Sequence, residues 1–189
     1  VVLGVRDLQK GRDARATILQ ELGNVPHGEL VVEEVDQASF ESVRRFSDVV
    51  SQKTSHLSSL VCNAGIWASQ DLTVDGISRT AQINHYANFL LVNRLLPALE
   101  SGSGRIVIVS SGMAKEAVDF REDPLLLNAS LMEGRASKLY RTSKLFNILH
   151  TKELARRLAT RPVLVNSVHP GVFPTLLHRP ENEPDFARS

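Results

Sequence analysis

The sequence predicts an α/β fold: a parallel sheet doubly wound by crossover helices. Three observations predict it. Short apolar runs alternate with longer segments of helical period along the chain. The runs are apolar at consecutive positions, as in strands buried on both faces. Each run ends in small or polar residues, the composition of the ligand-bearing edge of such sheets.

Val1–Val5 reads as the first strand. A helix follows to Leu22, with Asp7 as its N-cap and Gly23-Asn24 as its stop. Pro26-His27-Gly28 is turn chemistry, leading to a strand over Leu30–Val35. Ser39–Gln52 then carries Phe40, Val43, Phe46, Val49 and Val50 on one side of a helix. Leu57–Cys62 is the third strand, and Asn63-Ala64-Gly65 is too small and turn-prone to continue it. Ser78–Leu99 reads as one long helix, stopped by Gly102 and Gly104 before the strand Arg105–Val109. Within Ser111–Ala136 no single period holds; Asp123-Pro124 followed by Leu125-Leu126-Leu127 predicts a short helix there. Ser137–Leu158 is helical, Val163–Val168 is the last strand, and His169-Pro170-Gly171 ends it.

At 189 residues the chain has room for one domain, 1–189. A formal charge of +1 and no basic cluster argue against a nucleic-acid partner. The single cysteine, Cys62, excludes an internal disulfide and fits a reducing, intracellular setting. No apolar run reaches the roughly 18–20 residues of a membrane span. Six histidines without paired ligand spacing assign no metal.

The chemistry-bearing stretch is Tyr140-Arg141-Thr142-Ser143-Lys144. Four residues is about one turn, so phenol and ammonium share a helix face. A free phenol has a pKa of about 10, and a nearby ammonium favours the phenolate.

Six stretches carry a resemblance: Leu60-Val-Cys-Asn-Ala-Gly65, Ile83-Asn-His85, Gly104–Ser111, Tyr140–Asn147, Glu153–Leu158 and Val165–Gly171. In this order they resemble the short-chain dehydrogenase/reductase family, within it the group of retinol dehydrogenases, WW-domain oxidoreductases and protochlorophyllide reductases. The resemblance implies a Rossmann-like doubly wound parallel sheet. It also implies an enzyme that moves a hydride between nicotinamide and a carbonyl or alcohol carbon of a lipophilic, retinoid- or steroid-like molecule. Tyr140 is then the acid/base, Ser111 (the second of the pair with Ser110) holds the substrate oxygen, and Lys144 lowers the phenol's pKa and bonds the nicotinamide ribose. Asn84 holds a water that links Lys144 to solvent. On the cofactor, Arg6 meets a 2′-phosphate, which favours NADP(H) over NAD(H), with Asp7 beside it as a competing acid. Asp36 meets the adenine, Asn63, Ala64 and Gly65 let backbone approach its ribose, and Pro170, Gly171 and Thr175 hold the nicotinamide end. Trp67 has two readings, a side chain lining the substrate cleft and an aromatic packed against the sheet edge, of which the second is the expectation. Many such relatives pair through the helices matching Ser78–Leu99 and Ser137–Leu158, while others are monomers.

One departure governs the expectations. The chain contains no T-G-x-x-x-G-x-G turn. Its first strand resembles the family's second, and the family's last strand and substrate lid are unmatched after Arg179. The expectation is a fragment lacking the family's first and last strands, with Val1–Val5 and Leu57–Cys62 left unpaired on either side of a slot. Such a piece binds dinucleotide poorly by itself, and any membrane anchor lies outside it. The competing expectation is a non-catalytic binding or regulatory module of the same fold.

Overall fold

A computed structural model describes residues 1–25, 28–67, 69, 71–117 and 136–171. Among the described residues five parallel strands form two sheets. β1 (Val2–Val5) pairs with β2 (Val31–Glu34), Val2 opposite Val31 and Val5 opposite Glu34. β3 (Ser59–Cys62), β4 (Arg105–Val109) and β5 (Leu164–Val168) form the second sheet, with β4 in the middle. Among the described residues β1 and β3 do not pair with each other, so the sheet is divided where the sequence expects the slot.

The helices are α1 (Leu8–Leu22), α2 (Phe40–Lys53), a short α3 (Arg79–Ala81), α4 (Ala87–Ser101) and α5 (Ala136–Arg157). Local chemistry fixes their starts. The Asp7 carboxylate accepts from the N–H groups of Gln9 and Lys10, and Ser39 Oγ accepts from Ser42. Gly23 ends α1 at φ 55°, a left-handed conformation that glycine adopts readily.

Alternation along β1 sends α1 and α2 to opposite faces. A Cβ at Gly4 would lie 3.0 Å from Phe46 of α2, whereas Val5 stands 2.7 Å from where a Cβ at Gly11 of α1 would be. Gly11 is thus required for α1 to lie close on the first sheet. α2, α4 and α5 share one core with β4, centred on Val43, Leu95, Leu99, Ile106, Ile108 and Leu158. This corrects the expectation of strands buried on both faces. Val61 in β3 and Leu164 in β5 are more than half exposed, because the described helices of this sheet all lie on its other face.

The predicted helix Ser78–Leu99 is also corrected. It consists of α3, a π-helical turn over Gln82–Tyr86, and α4. The wide turn sets Asn84 apart. Its carbonyl accepts from the side chains of Asn88 (3.0 Å), one turn on, and of Asn147 (3.0 Å), a partner that the helical period does not reveal. Such turns recur at functional sites.

Candidate active site

The site is assembled where β4 ends against α5. Beyond Val109 the chain stays extended through Ser110 and Ser111, then enters a 3-10 helix over Gly112–Glu116. Alternation gives the two serines different tasks. Ser110 is buried and its hydroxyl donates to the Lys144 carbonyl at 2.7 Å, joining strand to helix. Ser111 caps the 3-10 helix, its Oγ accepting from Met113 N–H at 3.2 Å, and its hydroxyl acts on the Tyr140 phenol, favouring the ionised form.

Tyr140 and Lys144 occupy one face of α5, and both are buried. The ammonium lies 5.6 Å from the Tyr140 ring centroid, within cation–π range, and donates to Val109 O at 3.1 Å. Burial pulls its pKa down to about 8, so it remains largely charged at neutral pH. Burial pushes the Tyr140 phenol up, while the hydrogen bond with Ser111 pulls it back. The net direction is therefore the reverse of the expected lowering by Lys144. Water exclusion dominates, and the ammonium is hydrogen-bonded to Val109.

Asn84 binds this cluster from behind. Its Oδ1 accepts from Ile66 N–H (2.8 Å), and its Nδ2 donates to Ile66 O (3.1 Å) and to Ser143 Oγ (3.1 Å). Ser143 in turn donates to the Tyr140 carbonyl at 2.7 Å. A Cβ at Gly65 would stand 3.2 Å from Asn84 Oδ1 and 3.3 Å from Lys144 Nζ, so any side chain here would press on both and make them give by a few tenths of an ångström. Asn84, Ser111, Tyr140 and Lys144, drawn from three distant parts of the sequence, thus meet in one buried cluster.

The profile of the short chain dehydrogenase family matches residues 5–121, more than half of the chain. The chain belongs to the short-chain dehydrogenase family. It is 40% identical over 197 residues to retinol dehydrogenase 14 of Mus musculus, a match covering all of this chain and 58% of that protein. It is 37% identical over 177 residues to the WW domain-containing oxidoreductase of Gallus gallus, covering 90% of this chain and 42% of that one. The chain therefore spans about half the length of the curated relatives it matches. Among solved structures, a short chain dehydrogenase from Burkholderia cenocepacia in complex with NADP superposes with a TM-score of 0.67 at 29% identity, covering 94% of this chain and 65% of that one. A blue fluorescent protein from a metagenomic library, in complex with NADPH, gives 0.69 at 26% identity, covering 93% and 65%.

In this short-chain dehydrogenase chain the other predicted residues follow the strands. Arg6 is exposed just past β1. Asp36 closes the turn after β2, its Oδ1 accepting from Ala38 N–H at 2.9 Å. Asn63 and Ala64 are exposed and Gly65 half-buried past β3, and Pro170 and Gly171 are exposed past β5, Gly171 at φ 94°. Thr175 and the predicted helix near Asp123 lie outside the described residues. Two participants escape sequence reading. Ser143 and Asn147 are polar residues on the face of α5 that carries Tyr140 and Lys144, a spacing that could have singled them out. The Trp67 indole lies against the Tyr140 ring, centroids 4.6 Å apart.

Proposed function

We propose that the protein containing this chain is an NADP(H)-dependent oxidoreductase, moving a hydride between nicotinamide and the carbonyl or alcohol carbon of a lipophilic substrate. The observation that carries the reading is the meeting of the Ser111 hydroxyl, the Tyr140 phenol and the buried Lys144 ammonium in one cluster. Ser111 and Tyr140 present two hydroxyls to one substrate oxygen. In reduction Tyr140 gives its proton to the developing alkoxide; in oxidation it takes one from the alcohol. Ser111 holds and polarises that oxygen. Lys144 stabilises the phenolate left behind, and Asn84 fixes the backbone on which Lys144 and Tyr140 depend.

The cofactor fits the residues at the strand ends. The Asp7 carboxylate is engaged in capping α1, which holds its pKa down, whereas the neighbouring exposed Arg6 is not part of the cap. That supports a 2′-phosphate partner over a bare ribose hydroxyl. Gly65 brings the Asn63–Gly65 turn against Lys144, the amine proposed to hold the nicotinamide ribose. Asp36, Pro170, Gly171 and Thr175 are proposed to complete the adenine and carboxamide ends. When bound, the nicotinamide supplies or accepts the hydride. The complexes of relatives with NADP and NADPH add support. No T-G-x-x-x-G-x-G turn exists in the chain to cradle the pyrophosphate, so residues 1–189 alone are proposed to bind dinucleotide weakly.

A lipophilic substrate of retinoid or steroid type is supported only by the relatives named retinol dehydrogenase. Pairing of two copies is proposed through α4 and α5, where Phe89 and Leu149 are nearly half exposed. No described helix is long and apolar enough to cross a membrane. The test is NADPH oxidation by the full-length protein against a panel of aldehydes and ketones. Saturable turnover is expected; none with any carbonyl, against a folded and NADPH-binding protein, contradicts the reading.

A further inference from the structure

The ring packed on the reactive phenol is that of Trp67. The centroids are 4.6 Å apart and the planes tilted by 39°, an offset arrangement favoured by aromatic quadrupoles. The indole is not placed there by a loose loop. The residue before it, Ile66, has its N–H and its C=O both held by Asn84, whose amide also donates to Ser143 Oγ on α5. Ser143 donates in turn to the Tyr140 carbonyl. The indole's root and the phenol's root are thus tied together through two side chains, while the rings stack at the far end. A side chain whose only task was to fill the sheet edge would need neither tie.

We propose that Trp67 is a positioning residue for the acid/base step: its indole holds the Tyr140 ring against Ser111 and keeps water off the phenol. This rests on the oxidoreductase reading above. The raised pKa of Tyr140, for which burial is the leading cause, has the direction expected of such shielding. A phenol kept protonated is the form that carbonyl reduction consumes, so Trp67 favours the reducing direction near neutrality and leaves oxidation to higher pH.

The titratable and charged groups around the phenol come from its own helix and from the segments packed near it. They are Lys144 and Arg141 on α5, Glu116 of the 3-10 helix, paired with Arg141 at 3.3 Å, and His169 past β5, whose Nε2 lies 3.2 Å from the Cβ position of Gly112. Replacing Trp67 alters the charge of none of them. A change in phenol titration on losing the indole therefore reports hydration and ring placement.

The experiment compares full-length wild type with Trp67→Ala and Trp67→Phe, using two readouts. One is the pH profile of kcat for NADPH-driven reduction of a carbonyl that the wild type accepts. The other is the phenolate absorbance titration of Tyr140, isolated by difference against Tyr140→Phe. For Trp67→Ala, kcat is expected to fall about tenfold, with both the alkaline limb and the phenolate midpoint moving about one unit lower. Trp67→Phe, which keeps a ring over the phenol, should restore most of both. If Trp67→Ala fails to fold, the Trp67→Phe profile carries the test: a limb displaced as for a lost ring overturns the proposal, a near-native limb upholds it. A fall in kcat with an unmoved limb and midpoint also overturns it, because that is loss of structure alone. If no carbonyl is reduced by any form yet the midpoint still drops in Trp67→Ala, the oxidoreductase reading fails while the hold of Trp67 on the phenol stands.

Discussion

Asn84 grips Ile66 by both of its backbone groups, accepting from the N–H at 2.8 Å and donating to the C=O at 3.1 Å. The two residues lie on either side of the site, one in the π-helical turn before α4 and one past β3. The same amide reaches Ser143 on α5, so one side chain joins three segments around Lys144 and Tyr140.

Truncating it should therefore disturb stability and site together. Asn84→Ala leaves the Ile66 N–H and C=O without their partner, at a cost of about 2–4 kcal/mol from loss of hydrogen bonds to part-buried groups. Asn84→Asp retains the acceptor for Ile66 N–H but loses both donated bonds and adds a buried charge. Urea unfolding is expected to rank wild type above both variants. A stability for Asn84→Ala within about 0.5 kcal/mol of wild type would show that the clamp carries little.

The two adjacent serines should separate cleanly. Ser111→Ala removes the hydroxyl shared with Tyr140 and is expected to lower kcat about 100-fold with little change in KM, as for loss of one oxyanion donor. Ser110→Ala loses a buried bond to Lys144 O, at a cost of about 1 kcal/mol of stability. Its kcat should change by less than that of Ser111→Ala. Steady-state kinetics beside denaturant unfolding distinguishes them, and the reverse ranking in kcat would reassign the pair.

Acid stability should depend on His150. Both its ring nitrogens are buried without a hydrogen-bond partner among the described residues, and it stands edge-on to His85, centroids 5.9 Å apart. Burial, then the neighbouring His85, pulls its pKa from 6.5 to about 4. Between those values the unfolded chain binds a proton that the folded chain does not, so stability is fully present above the unfolded pKa and falls as pH drops toward 4. His150→Phe should flatten most of this dependence, leaving the smaller part due to His85, whose pKa burial also lowers. Unfolding midpoints at about pH 7 and about pH 5 measure it; an equal slope in the variant would exclude His150 as the source.

Cofactor choice should turn on Arg6. It is exposed just past β1, beside Asp7, whose carboxylate is engaged at the helix cap. Arg6→Ala in the full-length protein is expected to weaken NADPH roughly ten- to hundredfold, the worth of a charge-assisted bond, and NADH far less. Binding titrations with both dinucleotides decide it, and equal weakening would remove Arg6 from the phosphate.

Local chemistry made much of this legible in advance. Asp7 caps α1 as its position before an amphipathic run requires, β4 spans Arg105–Val109 as read, and α5 begins and ends within one residue of the predicted Ser137–Leu158. The gathering of Ser111, Tyr140 and Lys144 was implied by the resemblance to the short-chain family, and the parallel sheet accounts for Ser111, which follows β4 at the ligand-bearing edge. What escaped depends on long-range partners. The π-helical turn at Asn84 answers to Ile66 and Asn147, 18 and 63 residues away, and no helical period encodes that. The stacking of Trp67 on Tyr140 is likewise tertiary. The phenol's titration was read from its neighbour Lys144, whereas burial, a property of the assembled core, sets its direction.

The central claim is that the Tyr140 phenol exchanges a proton with the substrate oxygen. Its most direct measurement is kcat for carbonyl reduction by full-length Tyr140→Phe, with NADPH affinity determined in parallel. The account predicts a loss of about 100- to 10,000-fold in kcat with NADPH affinity within a few-fold of wild type. A variant that turns over at close to the wild-type rate would contradict it.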